Sequence, residues 1–230
     1  MAITLTRPGL PTRSTDISNI REALSVYLGA GSPRIILTGA GLASVGRLAV
    51  GRFGWHDAAA VCVVVAATGT VEWVIHKLLL HAPEDSWRTR RLQTSTSHRM
   101  HHEDPSDLPH VLLDPARAAG FLPAIAAFTA TWSVPLAVGL GFPVGPTVLT
   151  GLAASWSTLA HYEWVHLIVH TRHRFRTRFY ARLARNHRFH HYRNEHYWLG
   201  VTSNSGDRLL GTLPASKSDV PLSETARSLA

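Results

Sequence analysis

The sequence predicts an all-α protein: a multi-pass membrane helical bundle, with about four membrane helices in two hairpins and a histidine-rich helical cap on the cytoplasmic side. Three observations predict it. Residues Ala118 to Ala160 run for 43 positions without a charged side chain, interrupted by Pro143, Gly145 and Pro146, and two spanning helices need about 20 residues each. A second stretch, Ala58 to Leu80, has only Glu72, His76 and Lys77 as ionisable groups besides Cys62. Ten of the fifteen histidines fall into four tight groups. A mean hydropathy of +0.02 looks soluble, but that average mixes apolar spans with polar segments. An uncharged run this long exceeds what a buried core helix of a soluble protein needs.

Taken in order, residues 1–30 carry Arg7, Pro8, Pro11, Arg13 and Asp16 and no apolar core ahead of a cleavage site, so they read as a flexible tail rather than a secretory signal. The membrane domain is expected over residues 31–213. Its first span, Ile35 to Val50, is the weaker one because it contains Arg47; Ala58 to Leu80 is the second. The third and fourth form a hairpin over Ala118 to Ala160, turning at the GFPVGP of Gly141 to Pro146. Residues 214–230 are small and polar and read as a disordered tail.

Two hairpins place both chain ends, the Arg88–Arg91 segment and the Arg172–Arg188 segment on one side, and the arginine excess makes that side cytoplasmic. The net charge of +8 comes almost entirely from arginine, Lys77 and Lys217 being the only lysines. These charges flank apolar spans, where lipid head groups and topology account for them, so nucleic acid is not expected as a partner. Cys62 stands alone, which excludes a disulfide framework and a cysteine-based metal site.

The histidine groups are HKLLLH (His76, His81), HRMHH (His98, His101, His102), HLIVH (His166, His170) and HRFHH (His187, His190, His191). Imidazole is a common ligand for iron and zinc. On a helix, positions i and i+4 stand about 40° apart and i and i+3 about 60°. Each H-x-x-H-H group is therefore expected to point three imidazoles one way, and H-x-x-x-H two. His76 and His81 stand about 140° apart on an ideal helix, so they share a site only at a distorted helix end, or serve different metals. A solvated helix face accounts for any one group alone; four groups, two of the same pattern, point to a two-metal cluster.

Neighbouring residues divide into candidates and bystanders. His161 and His173 lie close to the third group as alternative ligands, and His196 is placed to line the site. Glu72, four before His76, and Glu163, three before His166, are expected to accept the ring N–H that a metal leaves free. Asp104 is expected to turn the chain before Pro105, while His56 and His110 read as ordinary polar residues.

The segments WVIHKLLLH, STSHRMHHEDP, HYEWVHLIVH and RNHRFHHYRNEHYWLGVTSNSGDRLLGT resemble the fatty acid hydroxylase and sterol desaturase superfamily over about Glu72 to Thr212. The family pattern matches all ten histidines and favours His166 and His170 in the third group. One departure is Gly206, where the family often has tryptophan before the closing aspartate, Asp207 here. The resemblance implies a membrane enzyme that binds two iron ions through these histidines and uses O2 and two electrons to hydroxylate or desaturate a C–H bond of a lipid, here a fatty acyl chain. Zinc lacks the redox change this needs, although it can occupy such a nitrogen-rich site in isolated protein. A carotenoid or sterol hydroxylase or desaturase is the alternative within the superfamily. A non-catalytic membrane metal-binding or transport protein is the alternative outside it, but a transporter places ligands near the bilayer midplane.

The implied reaction sets the partners: a lipid substrate drawn from the bilayer, and a separate electron donor, a ferredoxin-type or haem-type carrier with its reductase. The ~30 residues before the first expected span are too few for a haem or flavin domain, and no cysteine cluster is available for an iron–sulfur centre.

Overall fold

The computed structural model describes residues 11–92 and 94–227, and the long regular elements among them are all helical. In chain order they are α1 (Ile20–Gly29), α2 (Gly31–Val50), α3 (Trp55–Ile75), a π-helical turn (His76–Leu80), α4 (Trp87–Leu92), α5 (Thr94–Glu103), α6 (Leu108–Val111), α7 (Pro115–Leu140), α8 (Val144–Val169), α9 (Arg178–Tyr192) and α10 (Ser205–Leu209). The described residues divide into two compact units. One contains Leu28–Ala67 and Leu113–Glu163; the other contains Thr68–Leu112 and the described parts of Gly9–Tyr27 and Trp164–Ala230.

The first unit is built by close approach of small residues. A methyl group added at Gly39 of α2 would lie 3.0 Å from Leu122 and 3.3 Å from Trp156, and one at Gly151 of α8 3.0 Å from Trp132 of α7. Glycine at these places lets ring and backbone meet, as in helix packing within lipid, where dispersion and not the hydrophobic effect drives association. Thr129 donates to Ser155 across the α7–α8 pair, and the Trp156 indole donates to the Leu122 carbonyl at 3.1 Å. Asp114 caps α7 by accepting from the N–H groups of Ala116 and Arg117. The expected hairpin turn is present: Gly141 takes φ +66° as a left-handed cap, and α8 begins after Pro143.

Arg47, the charge that weakened the first expected span, is buried and fully engaged. Its guanidinium donates to both oxygens of Asp57, at 2.7 and 2.8 Å, to Thr150 and to the Gly51 carbonyl, and it stacks 4.4 Å from the Phe53 ring. A paired, multiply hydrogen-bonded arginine avoids the cost of an isolated buried charge. His56 joins the network 3.3 Å from Arg47.

Two stretches among the described residues are long and apolar enough to cross a membrane, Trp55–Leu80 and Leu108–Leu140. Only 22% and 17% of their most apolar windows is buried, which suits lipid-facing helices and not the core of a soluble protein. By length and composition both are candidate membrane spans. Helices α2 and α8 form where the first and fourth spans are expected but do not reach the same apolarity.

In the second unit, the described part of the expected N-terminal tail carries structure. The Thr12 carbonyl accepts from Leu108 N–H at 2.9 Å, Ser14 N–H donates to Ser106, and Arg172 N–H donates to the Ile17 carbonyl; Ile17 is buried and α1 follows. Backbone pairing to partners distant in sequence holds a segment that its composition alone would leave loose. Residues 1–10 lie outside the described residues. Asp104 turns the chain as expected, accepting from the Ser106 N–H and hydroxyl and from Arg13.

Candidate metal centre

All ten expected histidines lie in the second unit, and the helices explain how they converge. At the end of α3 the backbone widens into a π turn, with His81 N–H donating to the His76 carbonyl at 3.0 Å. A bond spanning five residues stacks positions five apart over one another, so the distortion brings His76 and His81 to one side. Such turns are rare and frequent at functional sites.

Helices α5 and α9 each divide their H-x-x-H-H set. His98 and His102, four apart on α5, join His76, His81 and His190; His187 and His191, four apart on α9, join His101, His166 and His170. The sequence expectation of three imidazoles pointing together is corrected here. The i, i+4 pair shares a face, while the remaining histidine turns to the neighbouring group, so each helix supplies two histidines to one group and one to the other. The result is two groups of five. They adjoin one another, the His102 and His191 rings standing 4.2 Å apart.

Within each group, one nitrogen from every ring lies within 4.8 Å of all the others. Imidazole nitrogens binding one ion at ~2.1 Å must stand roughly 3 to 4.2 Å from one another, so the fit to a metal is close. The hydrogen bonds make the same case. His76, His102, His166 and His190 each donate Nδ1–H to a backbone carbonyl, of Leu199 at 2.5 Å, Ala226 at 2.6 Å, Val111 at 2.8 Å and Tyr197 at 3.0 Å. This fixes their tautomer and leaves Nε2 as a lone pair. The buried Nε2 atoms of His102 and His190 accept no hydrogen bond, nor does either nitrogen of His101. Buried acceptors without donors are costly, and a cation at the focus of each group would satisfy them.

Electrostatics favours the same state. Burial, aided by neighbouring imidazoles, holds His81, His98, His101, His170, His187, His190 and His191 well below the usual histidine range. Burial also pushes His102 down to about 4, against the opposing pull of the Ala226 carbonyl. The rings are neutral at physiological pH and can donate to a metal without first losing a proton.

The carboxylates depart from expectation. Glu72 accepts from the Thr202 N–H and hydroxyl rather than from His76, and Glu163 accepts from Ser32 and from Leu113 N–H rather than from His166. Sharing a helix face with a ligand does not suffice, because the carbonyls of adjoining segments reach Nδ1 first. The alternative ligands stay outside both groups: His161 is exposed, His173 packs on Phe175, and His196 is exposed with Nδ1 3.1 Å from the Lys77 ammonium.

The loop from Tyr197 to Thr202 is the part that sequence reasoning missed. Trp198 adopts φ +52°, a left-handed conformation costing a non-glycine residue about 1 kcal/mol. The carbonyls on either side of it are those used by His190 and His76. Asp207 holds the loop, accepting from Leu199 and Gly200 N–H at 2.8 Å and from the Thr212 hydroxyl at 2.7 Å. A side chain at Gly206 would collide with the Gly69 carbonyl and reach within 2.8 Å of Trp73. Glycine here therefore lets α10 press against α3, a local reason for the departure from the family's tryptophan. The other missed residue is Glu195, buried and bonded to Ser223 and Thr225. Its partners lie 28 and 30 residues further along the chain, so local spacing carried no signal for it.

The model of the family described as fatty acid hydroxylase matches residues 61–212, a span that includes all ten histidines. Among solved structures, the chain is similar to one described as full-length Scs7p with only the hydroxylase domain visible, at 20% identity and a TM-score of 0.61, covering 90% of this chain and 70% of that one. At that identity the likeness speaks for the fold. No curated protein sequence matches the chain.

Proposed function

The chain belongs to the fatty acid hydroxylase family, and from that premise we propose that it is an O2-dependent membrane hydroxylase acting on a lipid, a fatty acyl chain, at two iron ions held by the two histidine groups. The observation that carries the reading is the pair of adjoining five-histidine groups with buried lone pairs facing inward. Bound iron supplies the redox chemistry needed to activate O2 toward an unactivated C–H bond, which zinc does not.

The protein's own residues perform three tasks. His76, His81, His98, His102 and His190 hold one ion; His101, His166, His170, His187 and His191 hold the other. The backbone carbonyls of Val111, Tyr197, Leu199 and Ala226 orient four of these rings. Burial keeps the imidazoles neutral and bulk water away from the reacting carbon.

The substrate enters from the bilayer. In this reading α2, α3, α7 and α8 are four membrane spans, and the histidine groups face the cytoplasm, as the arginine distribution favours. Electrons arrive from a separate ferredoxin-type or haem-type carrier, for which the exposed Arg178, Arg182, Arg185 and Arg188 of α9 offer a cationic docking surface.

The test compares lipid profiles from cells with and without the protein, grown under 18O2. The expected outcome is a fatty acyl species carrying one labelled oxygen only where the protein is present. Identical profiles from cells whose protein is loaded with iron would overturn the reading.

A further inference from the structure

The sequence leaves residues 214–230 as a tail, yet the described part of that segment reaches the histidines. Arg193 Nε donates to the Val220 carbonyl at 2.9 Å, and Ser223 N–H donates to the Arg193 carbonyl at 2.9 Å. The Ser223 and Thr225 hydroxyls donate to Glu195 Oε1 at 3.1 and 2.6 Å. Arg227 donates to the Glu103 carbonyl at 2.7 Å, and its guanidinium lies 5.3 Å over the Tyr192 ring. Val220 and Ala226 are buried. Between these anchors the Ala226 carbonyl accepts from His102 Nδ1 at 2.6 Å.

We propose that Val220 to Arg227 is a strap belonging to the metal centre: Ser223, Thr225 and Ala226 are positioning residues that set the tautomer and angle of His102, and so the metal affinity of the His76 group but not of the His101 group. The inference rests on the two-metal reading above. Its physical basis is that a ligating imidazole is fixed by whatever accepts its second N–H, and losing such a partner typically costs about 10- to 100-fold in metal affinity. For His102 that partner is a main-chain carbonyl on a segment without regular structure at that point, so the anchors determine whether the carbonyl is in place. Glu195 is the principal anchor. It is buried and accepts both strap hydroxyls through one oxygen, while its second oxygen has no hydrogen-bond partner, so the strap supplies much of its solvation.

The test measures metal content and affinity on the full-length protein in detergent, loaded with Fe(II) anaerobically and titrated with a chelator. In the double variant Ser223→Ala with Thr225→Val, one of two ions is expected to leave at about 10-fold lower chelator concentration, the other unchanged. Thr225→Ser alone, which keeps both hydroxyls, is expected to hold the affinity near that of the wild type. A chain truncated after Leu222 is expected to keep one ion tightly and its helical circular dichroism. Unchanged affinity at both sites in the double variant overturns the proposal, as does equal weakening of both. A wild-type chain that binds no metal instead overturns the two-metal reading itself.

Discussion

The two histidine groups are equal in number and unlike in construction. The His101 group draws four of its five members from i, i+4 pairs, His166 with His170 at the end of α8 and His187 with His191 on α9. The His76 group has one such pair, His98 with His102. Its other members come from a π turn and from the unpaired His190, and three of its rings donate to carbonyls of irregular segments at Leu199, Tyr197 and Ala226. Regular helix places the histidines of one group. Irregular segments orient three rings of the other, which is therefore expected to be the more sensitive to changes outside the histidines themselves.

The largest effects come from emptying each group separately. His98→Ala with His102→Ala should remove one ion, and His187→Ala with His191→Ala the other, each abolishing hydroxylation because the two groups adjoin and act together. His101→Ala with His190→Ala takes one ligand from each group and should weaken both ions. Chelator titration with lipid analysis checks all three, and hydroxylation surviving in either pair variant would break the picture of a joint centre.

Next comes the support of the loop. Asp207→Ala leaves the Leu199 and Gly200 N–H groups without their acceptor and frees the carbonyls beside them, so the His76 group should lose affinity by about 10- to 100-fold while the His101 group keeps its own. Equal loss from both would show that Asp207 serves the whole unit rather than one group.

These differences track what the sequence makes legible. The convergence of the ten histidines was readable because side-chain chemistry at helical spacing needs no knowledge of tertiary structure. The turn at Gly141 was readable because proline and glycine act locally. The partition of His101 from His98 and His102 was not, since it depends on where a second helix stands. The acceptors at Leu199, Tyr197 and Ala226 were invisible because a backbone carbonyl has no residue signature. Glu72 and Glu163 misled for the same reason: intrahelical spacing gave them a plausible partner, and the fold gave them Thr202, Ser32 and Leu113 instead. Arg47 looked like a flaw in a span until Asp57 and Thr150 were placed beside it.

A smaller effect concerns the α3–α10 contact. Gly206→Ala forces the new methyl against Gly69 and should destabilise the protein by about 1–3 kcal/mol, read as a lower midpoint of thermal unfolding in detergent. Gly120→Ala, where an added Cβ meets nothing within 4 Å, should leave it nearly unchanged.

A separate effect is on pH dependence without metal. His102 is held at about 4 in the folded chain against an ordinary 6.5, so below 6.5 the unfolded chain binds a proton that the folded one refuses. Its contribution to stability is present above 6.5 and is lost as pH falls toward 4. Chelator-treated protein should therefore melt at lower temperature as pH drops through that window, and metal-loaded protein should resist to lower pH. Coincident profiles for the two would remove the link between burial of these rings and metal.

The most direct test of the central claim is the metal content of the purified full chain after anaerobic loading with Fe(II), measured beside the two pair variants. Two ions per chain are expected for the wild type and one for each variant. One ion or none in the wild type, or two in either variant, would contradict it.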